Sequence, residues 1–137
     1  MTSSLVRLFA LVVIASGCGG VVGDPNITLT TKATLEKRGS TWFFISPIAT
    51  APTANAARVQ YAFRVRENSV GFMTTPTSRT LTFESPPGQL EIPLDARPQV
   101  AIGTRVSLTL EAMAMSWDGV SGNGVTFKAQ EYAFTFQ

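Results

Sequence analysis

Between residues 26 and 137, apolar side chains recur at every second position in short runs, and nowhere at the period of a helix. The clearest run is Arg58 to Glu67: Val59, Tyr61, Phe63 and Val65 point one way, and Arg58, Gln60, Arg64 and Arg66 the other. Ile27, Leu29, Thr31, Ala33 and Leu35 alternate with polar neighbours and predict one half-buried strand. Val106, Leu108, Leu110, Ala112 and Ala114 predict another, with Ser107, Thr109 and Glu111 on its far face. Thr80–Glu84 and Leu90–Leu94 are shorter runs, and Pro93, which has no N–H to give, places the second at an edge or a bulge. Turn chemistry separates the runs at Lys37–Ser40, Ser85–Gly88, Arg97–Pro98 and Asp118–Gly124.

Some stretches break the alternation. Trp42-Phe43-Phe44-Ile45 is apolar on both parities, as in a strand covered on both faces or turning a sheet corner. Met113 to Trp117 is also apolar on both, which predicts a strand through the middle of a sheet. The last run changes parity: Val125, Phe127 and Ala129 lie on one face, Tyr132, Phe134 and Phe136 on the other. A β-bulge near Gln130-Glu131 is the simplest repair. Residues 47–57, PIATAPTANAA, have no periodicity and form the longest candidate loop, a natural place for binding.

About seven to eight short strands with frequent turn signals predict an all-β, antiparallel β-sandwich. The run Gly103-Thr104-Arg105-Val106-Ser107-Leu108-Thr109-Leu110-Glu111-Ala112, followed by Trp117-Asp118-Gly119 and Gly122-Asn123-Gly124, resembles the last two strands of bacterial immunoglobulin-like and fibronectin-type domains. That resemblance covers about the last third of the chain and implies an immunoglobulin-like β-sandwich. The ending Tyr132-Ala133-Phe134-Thr135-Phe136 also resembles the closing strand of outer-membrane barrels, but several runs are too short for the ~10-residue strands such barrels need.

The first residues follow another rule. Arg7 precedes an apolar run from Leu8 to Ala15, closed by Ser16, Gly17 and Cys18, which is the layout of a secretory signal. The run is far short of the ~20 residues that cross a bilayer, and no later segment approaches that length. Ala15-Ser16-Gly17-Cys18 resembles the lipobox of bacterial lipoproteins, with Ala15 where that family usually has leucine. The resemblance implies cleavage between Gly17 and Cys18, acylation of Cys18, and a membrane anchor. Gly19, in place of an aspartate, implies outer-membrane sorting. Ordinary signal cleavage leaving a free thiol is the competing reading. The division is then a signal peptide over 1–17, a lipidated terminus and short tether over 18–25, and a sandwich domain over 26–137.

Removing the first 17 of 137 residues leaves 120, enough for one domain with a core of its own. Eleven basic side chains face nine acidic ones, and loss of Arg7 brings the balance near zero. No charge block forms, so nothing points to nucleic acid. The chain has no histidine and one cysteine, so the fold rests on burial without an internal disulfide.

Candidate chemistry is sparse, and no catalytic residue, metal site or cofactor is assigned. Glu84 and Glu91 flank one turn and are the only carboxylate pair considered for acid–base work. Asp118, Ser121 and Asn123 offer oxygens in one loop, but one carboxylate is too few for calcium. Arg58, Arg64 and Arg66 share one strand face, where guanidinium forks suit an anionic group. A solvated face with acidic neighbours is the plainer expectation. With Trp117, Asp118 and Asn123, these arginines make up the candidate partner-binding set. The expected function is a membrane-anchored, non-catalytic envelope module that binds a protein partner or envelope polymer. The alternative is a structural accessory of a secretion or motility assembly that docks by strand pairing near Pro93.

Overall fold

The computed structural model describes residues 22–51, 53–68, 71–74, 78–84, 88–120 and 122–137. They form eight strands: β1 (Asn26–Leu29), β2 (Thr34–Arg38), β3 (Thr41–Ala51), β4 (Arg58–Glu67), β5 (Ser78–Phe83), β6 (Gln89–Leu94), β7 (Arg105–Trp117) and β8 (Gly122–Thr135). All the strand pairs are antiparallel. In one sheet β3 pairs with β1, β2 and β6; in the other the order is β5-β4-β7-β8. The chain is an antiparallel β-sandwich. With β1 and β2 counted as one interrupted strand, the first, second and fifth strands face the third, fourth, sixth and seventh. The seven-strand immunoglobulin layout differs from this split in keeping its fourth strand in the first sheet.

The alternating runs account for the core. Phe63 and Val65 of β4, Leu90 and Ile92 of β6, and Leu108, Leu110, Ala112 and Ala114 of β7 are fully buried, and Phe44 of β3 closes the layer between them. Tyr132 meets Phe44 edge-on at 5.4 Å between ring centroids. Trp42 does the same with Phe72 at 5.6 Å and Phe136 at 5.1 Å, so it sits at the rim of the core. Phe72 and Met73 lie outside any strand yet are buried. Their amides donate to the Glu67 carboxylate at 2.9 and 2.7 Å, which fixes this loop as a plug over one end of the sandwich.

The strand expected over residues 27–35 is divided. β1 pairs with residues 48–51 of β3 and β2 with residues 41–45, so residues 30–33 face Ser46 and Pro47 alone. Proline has no donor for a ladder there, and the chain bulges around it. The buried Ser46 hydroxyl donates to Lys32 O at 3.4 Å, and the Tyr132 hydroxyl donates to Thr30 O, which satisfies two of the carbonyls freed by the bulge. The expected loop over residues 47–57 is also shorter than its sequence suggests. Pro47 through Ala51 belong to β3, paired with β6 or β1, and the connection starts after Ala51. As its proline required, β6 is an edge strand, paired only with β3 among the described residues.

A larger correction concerns β8. Its register with β7 runs unbroken from Arg105↔Thr135 to Ser116↔Gly124, so there is no bulge near Gln130-Glu131. The one irregularity falls at Ser116/Trp117, beside the turn. Side chains alternate strictly along an unbroken strand, so the change of parity is a change of face. Tyr132 and Phe134 enter the core, whereas Val125 and Phe127 stand on the outside of the sheet.

Candidate functional site

At one end of the sandwich the chain enters, the β3–β4 connection passes, and the β7–β8 turn closes. Val22, the first described residue, is buried ahead of the first strand. Gly23 donates its amide to Ala54 O at 3.0 Å and accepts from the Ser116 hydroxyl at 3.0 Å. Thr126 donates its hydroxyl to Pro25 O at 2.5 Å. Ala57 donates its amide to Trp117 O at 2.7 Å, and the Arg58 guanidinium lies over the Trp117 ring at 4.4 Å. The two segments considered as binding loops therefore meet, next to the point where the N-terminal segment enters.

The glycines of the β7–β8 connection serve this junction as well as the turn. Gly119 has φ +105°, a left-handed value suited to glycine. A Cβ on Gly124 would come within 2.4 Å of the Ser116 hydroxyl and 2.7 Å of Gly23 O, so this glycine is required by close approach. Asp118 accepts from the Val120 amide at 2.7 Å, an Asx turn that uses the carboxylate locally. Among the described residues no cluster of carboxylates suited to a metal is present.

The outer face of the β5-β4-β7-β8 sheet divides into two halves. Farther from the chain entry it is polar. Arg64 lies opposite Glu111 and binds it at 2.5 Å through Nε, and Arg66 reaches the same carboxylate at 3.6 Å. Asn68 donates to the Thr109 hydroxyl at 2.7 Å, and Ser107 donates to Glu131 at 2.5 Å. Arg58, at the chain-entry end of the face, approaches Glu84 at 3.9 Å. Each of the three arginines thus has an acidic neighbour, the plainer of the two expectations for that strand face. Nearer the chain entry the same face is apolar. Met113 lies across from Phe127 and Met115 from Val125. Met113, Val125 and Phe127 are 41, 55 and 61 % exposed, and Val120 in the adjoining turn is 96 % exposed. Ala62, Arg64, Glu111, Met113 and Phe127 line a shallow recess of about 260 Å³ where the halves meet.

The two anomalies of the sequence, apolar residues on both parities of β7 and a parity change in β8, are therefore one feature. Their odd side chains pair across the strands and face outward. Sequence reasoning missed the patch because it treated each anomaly as a packing problem inside one strand.

The other candidates fall elsewhere. β5 and β6 belong to different sheets, so Glu84 and Glu91 do not form a pair across a hairpin. Glu91 is held in the first sheet by Arg38 at 3.0 Å, and that hydrogen bond keeps its carboxyl below the usual range. A carboxylate stabilised in its charged form is a poor general acid. Trp42 packs edge-on against Phe72 and Phe136 at the rim of the core. Gly17 and Cys18 lie outside the described residues, as do Ser121 and the side chain of Asn123. No protein-family model matches the chain, nor does any curated protein or solved structure.

Proposed function

We propose that the protein is an exported lipoprotein, anchored to a membrane of the bacterial envelope through acyl chains on Cys18, whose β-sandwich is a non-catalytic module. It works by docking onto a protein partner or an envelope polymer through the outer face of β5-β4-β7-β8. The observation that carries this reading is the division of that face into a charged half and an apolar half, where Met113, Val125 and Phe127 stand exposed. Large apolar side chains gathered on one face, rimmed by charge, mark a surface that another body covers. The arginines beside the patch supply the rim: Arg64 and Arg66 on Glu111, and Arg58 on Trp117. Docking by strand addition at β6 draws no such support, because Pro93 removes a donor there.

Two measurements test the reading. Metabolic labelling with a clickable fatty acid, followed by membrane fractionation, is expected to label the wild-type protein and recover it with membranes. Cys18→Ser is expected to lose the label and to be released, and a soluble, unlabelled wild-type protein sinks the anchor. A photo-crosslinking amino acid at Ala129 or Ala133, both exposed on the outer side of β8, is then expected to capture one discrete protein or glycan adduct. A chain that stays uncrosslinked in intact cells sinks the binding role.

A further inference from the structure

The apolar half of the outer face lies at the end where the chain enters, and the length of the connection to Cys18 restricts what can cover it. Only Gly19, Gly20 and Val21 separate Cys18 from the buried Val22. Four Cα steps of ~3.8 Å reach at most about 15 Å. Gly23 and Pro25 are then pinned to Ser116 and Thr126, immediately beside Trp117 and Val125. From Ser116 back to Met113 is about 10 Å of strand at ~3.4 Å per residue. With Cys18 acylated, the apolar corner is close enough to the bilayer surface to meet it when the domain leans onto this face.

The side chains suit that surface. Val120, Val125, Met113 and Phe127 are aliphatic or aromatic and stand in solvent. Trp117 lies at their edge with the Arg58 guanidinium stacked on its ring, an amphipathic aromatic beside a cation, as favoured where hydrocarbon meets headgroups. A patch of this size binds lipid weakly by itself, but tethering turns docking into an intramolecular step at high effective concentration.

We infer that the corner formed by Met113, Trp117, Val120, Val125 and Phe127 docks onto the phospholipid surface that holds the Cys18 anchor, leaving the polar half of the same face for the partner. This inference rests on the acylation of Cys18 proposed above. It assigns the two halves of one sheet face to two different tasks.

The two tryptophans of the chain provide the test, since Trp117 belongs to the corner and Trp42 to the core. The acylated full-length mature protein is reconstituted in vesicles of three parts phosphatidylethanolamine to one part phosphatidylglycerol, with and without lipids brominated on their acyl chains. Bromine near the headgroup end is expected to quench part of the tryptophan emission. Trp117→Phe is expected to lose that quenching, because Trp42 lies out of reach. Phe127→Glu should also lose it while remaining acylated and vesicle-bound, and its circular dichroism should match the wild type because Phe127 stands largely exposed on the outer face. Met113→Gln, a milder change, gives a second variant with the same expected direction. An acylated, vesicle-bound protein whose Trp117 is not quenched overturns the inference and leaves the anchor standing. So does Trp117 shielded in a dimer, read as a doubled mass in detergent that Phe127→Glu abolishes. Absence of acyl mass on Cys18 removes the anchor reading and this inference with it.

Discussion

At the scale of single residues, the positions that fix the chain entry are small or polar rather than large. Gly124 admits no side chain, because a methyl group would meet the Ser116 hydroxyl and Gly23 O. Gly124→Ala is therefore expected to destabilise the fold by about 1–3 kcal/mol, the range for forcing atoms into a filled space. Chemical denaturation measures the loss, and amide exchange at Gly23 should quicken with it. Tyr132 makes a different kind of contact. Burial pushes its hydroxyl pKa up, with the neighbouring Ser46 hydroxyl working the other way. A group whose folded pKa exceeds its unfolded value stabilises the fold below that unfolded value, about 10 for tyrosine, and loses the contribution as pH rises through the folded one. Stability should thus fall above about pH 10, and Tyr132→Phe should flatten that fall. At neutral pH the same variant leaves Thr30 O without its donor and costs about 1–2 kcal/mol. A variant with an unchanged alkaline limb would show that Tyr132 titrates as it does in the unfolded chain.

At the scale of elements, β7 and β8 separate what the sequence could reveal from what it could not. The inward set on β7 was plain, because five apolar residues at period two have only one side to go. The outward set was not, because periodicity assigns residues to a face without saying which face the core takes. In β8 both faces carry apolar groups, and only pairing with Arg105–Trp117 settles that Tyr132 points in and Phe127 out. The interrupted first strand had the same origin: Thr31 and Ala33 fit the alternation, but the break is imposed by Pro47 on the neighbouring strand. The candidate site was legible only residue by residue. Arg58, Trp117 and Asp118 were identified, yet their meeting with the chain entry depends on contacts across more than ninety positions, such as Ser116 to Gly23. Paired substitutions test the register. Phe127→Ser should change stability by no more than about 0.5 kcal/mol, as expected for a surface side chain. Leu110→Ala, which opens a cavity in the core, should cost about 2–5 kcal/mol. Comparable losses would place Phe127 in the core and restore the bulge near Gln130.

At the scale of the whole molecule, the sandwich is polar in the sense of having two unlike ends. The chain enters beside Trp117, whereas Phe136 is bonded to Gly103 and Thr104 at the start of β7. β7 alone, at 13 residues and ~3.4 Å each, puts about 40 Å between those ends. An anchor at Cys18 would hold one end in the interface and project the other away from it. Whether the apolar corner has its own affinity for lipid, or is only carried there by the anchor, is separable by changing the tether. Ten glycine and serine residues inserted between Gly20 and Val21 lower the effective concentration of the corner at the surface without altering the corner itself. Quenching of Trp117 by brominated lipid is then expected to drop several-fold and to persist, whereas Phe127→Glu in the same long-tethered chain should lose it entirely. Persistence identifies an affinity encoded in Met113, Val125 and Phe127. Complete loss on lengthening alone would mean that proximity was the only force, and that the exposed face is kept for a protein or polymer partner.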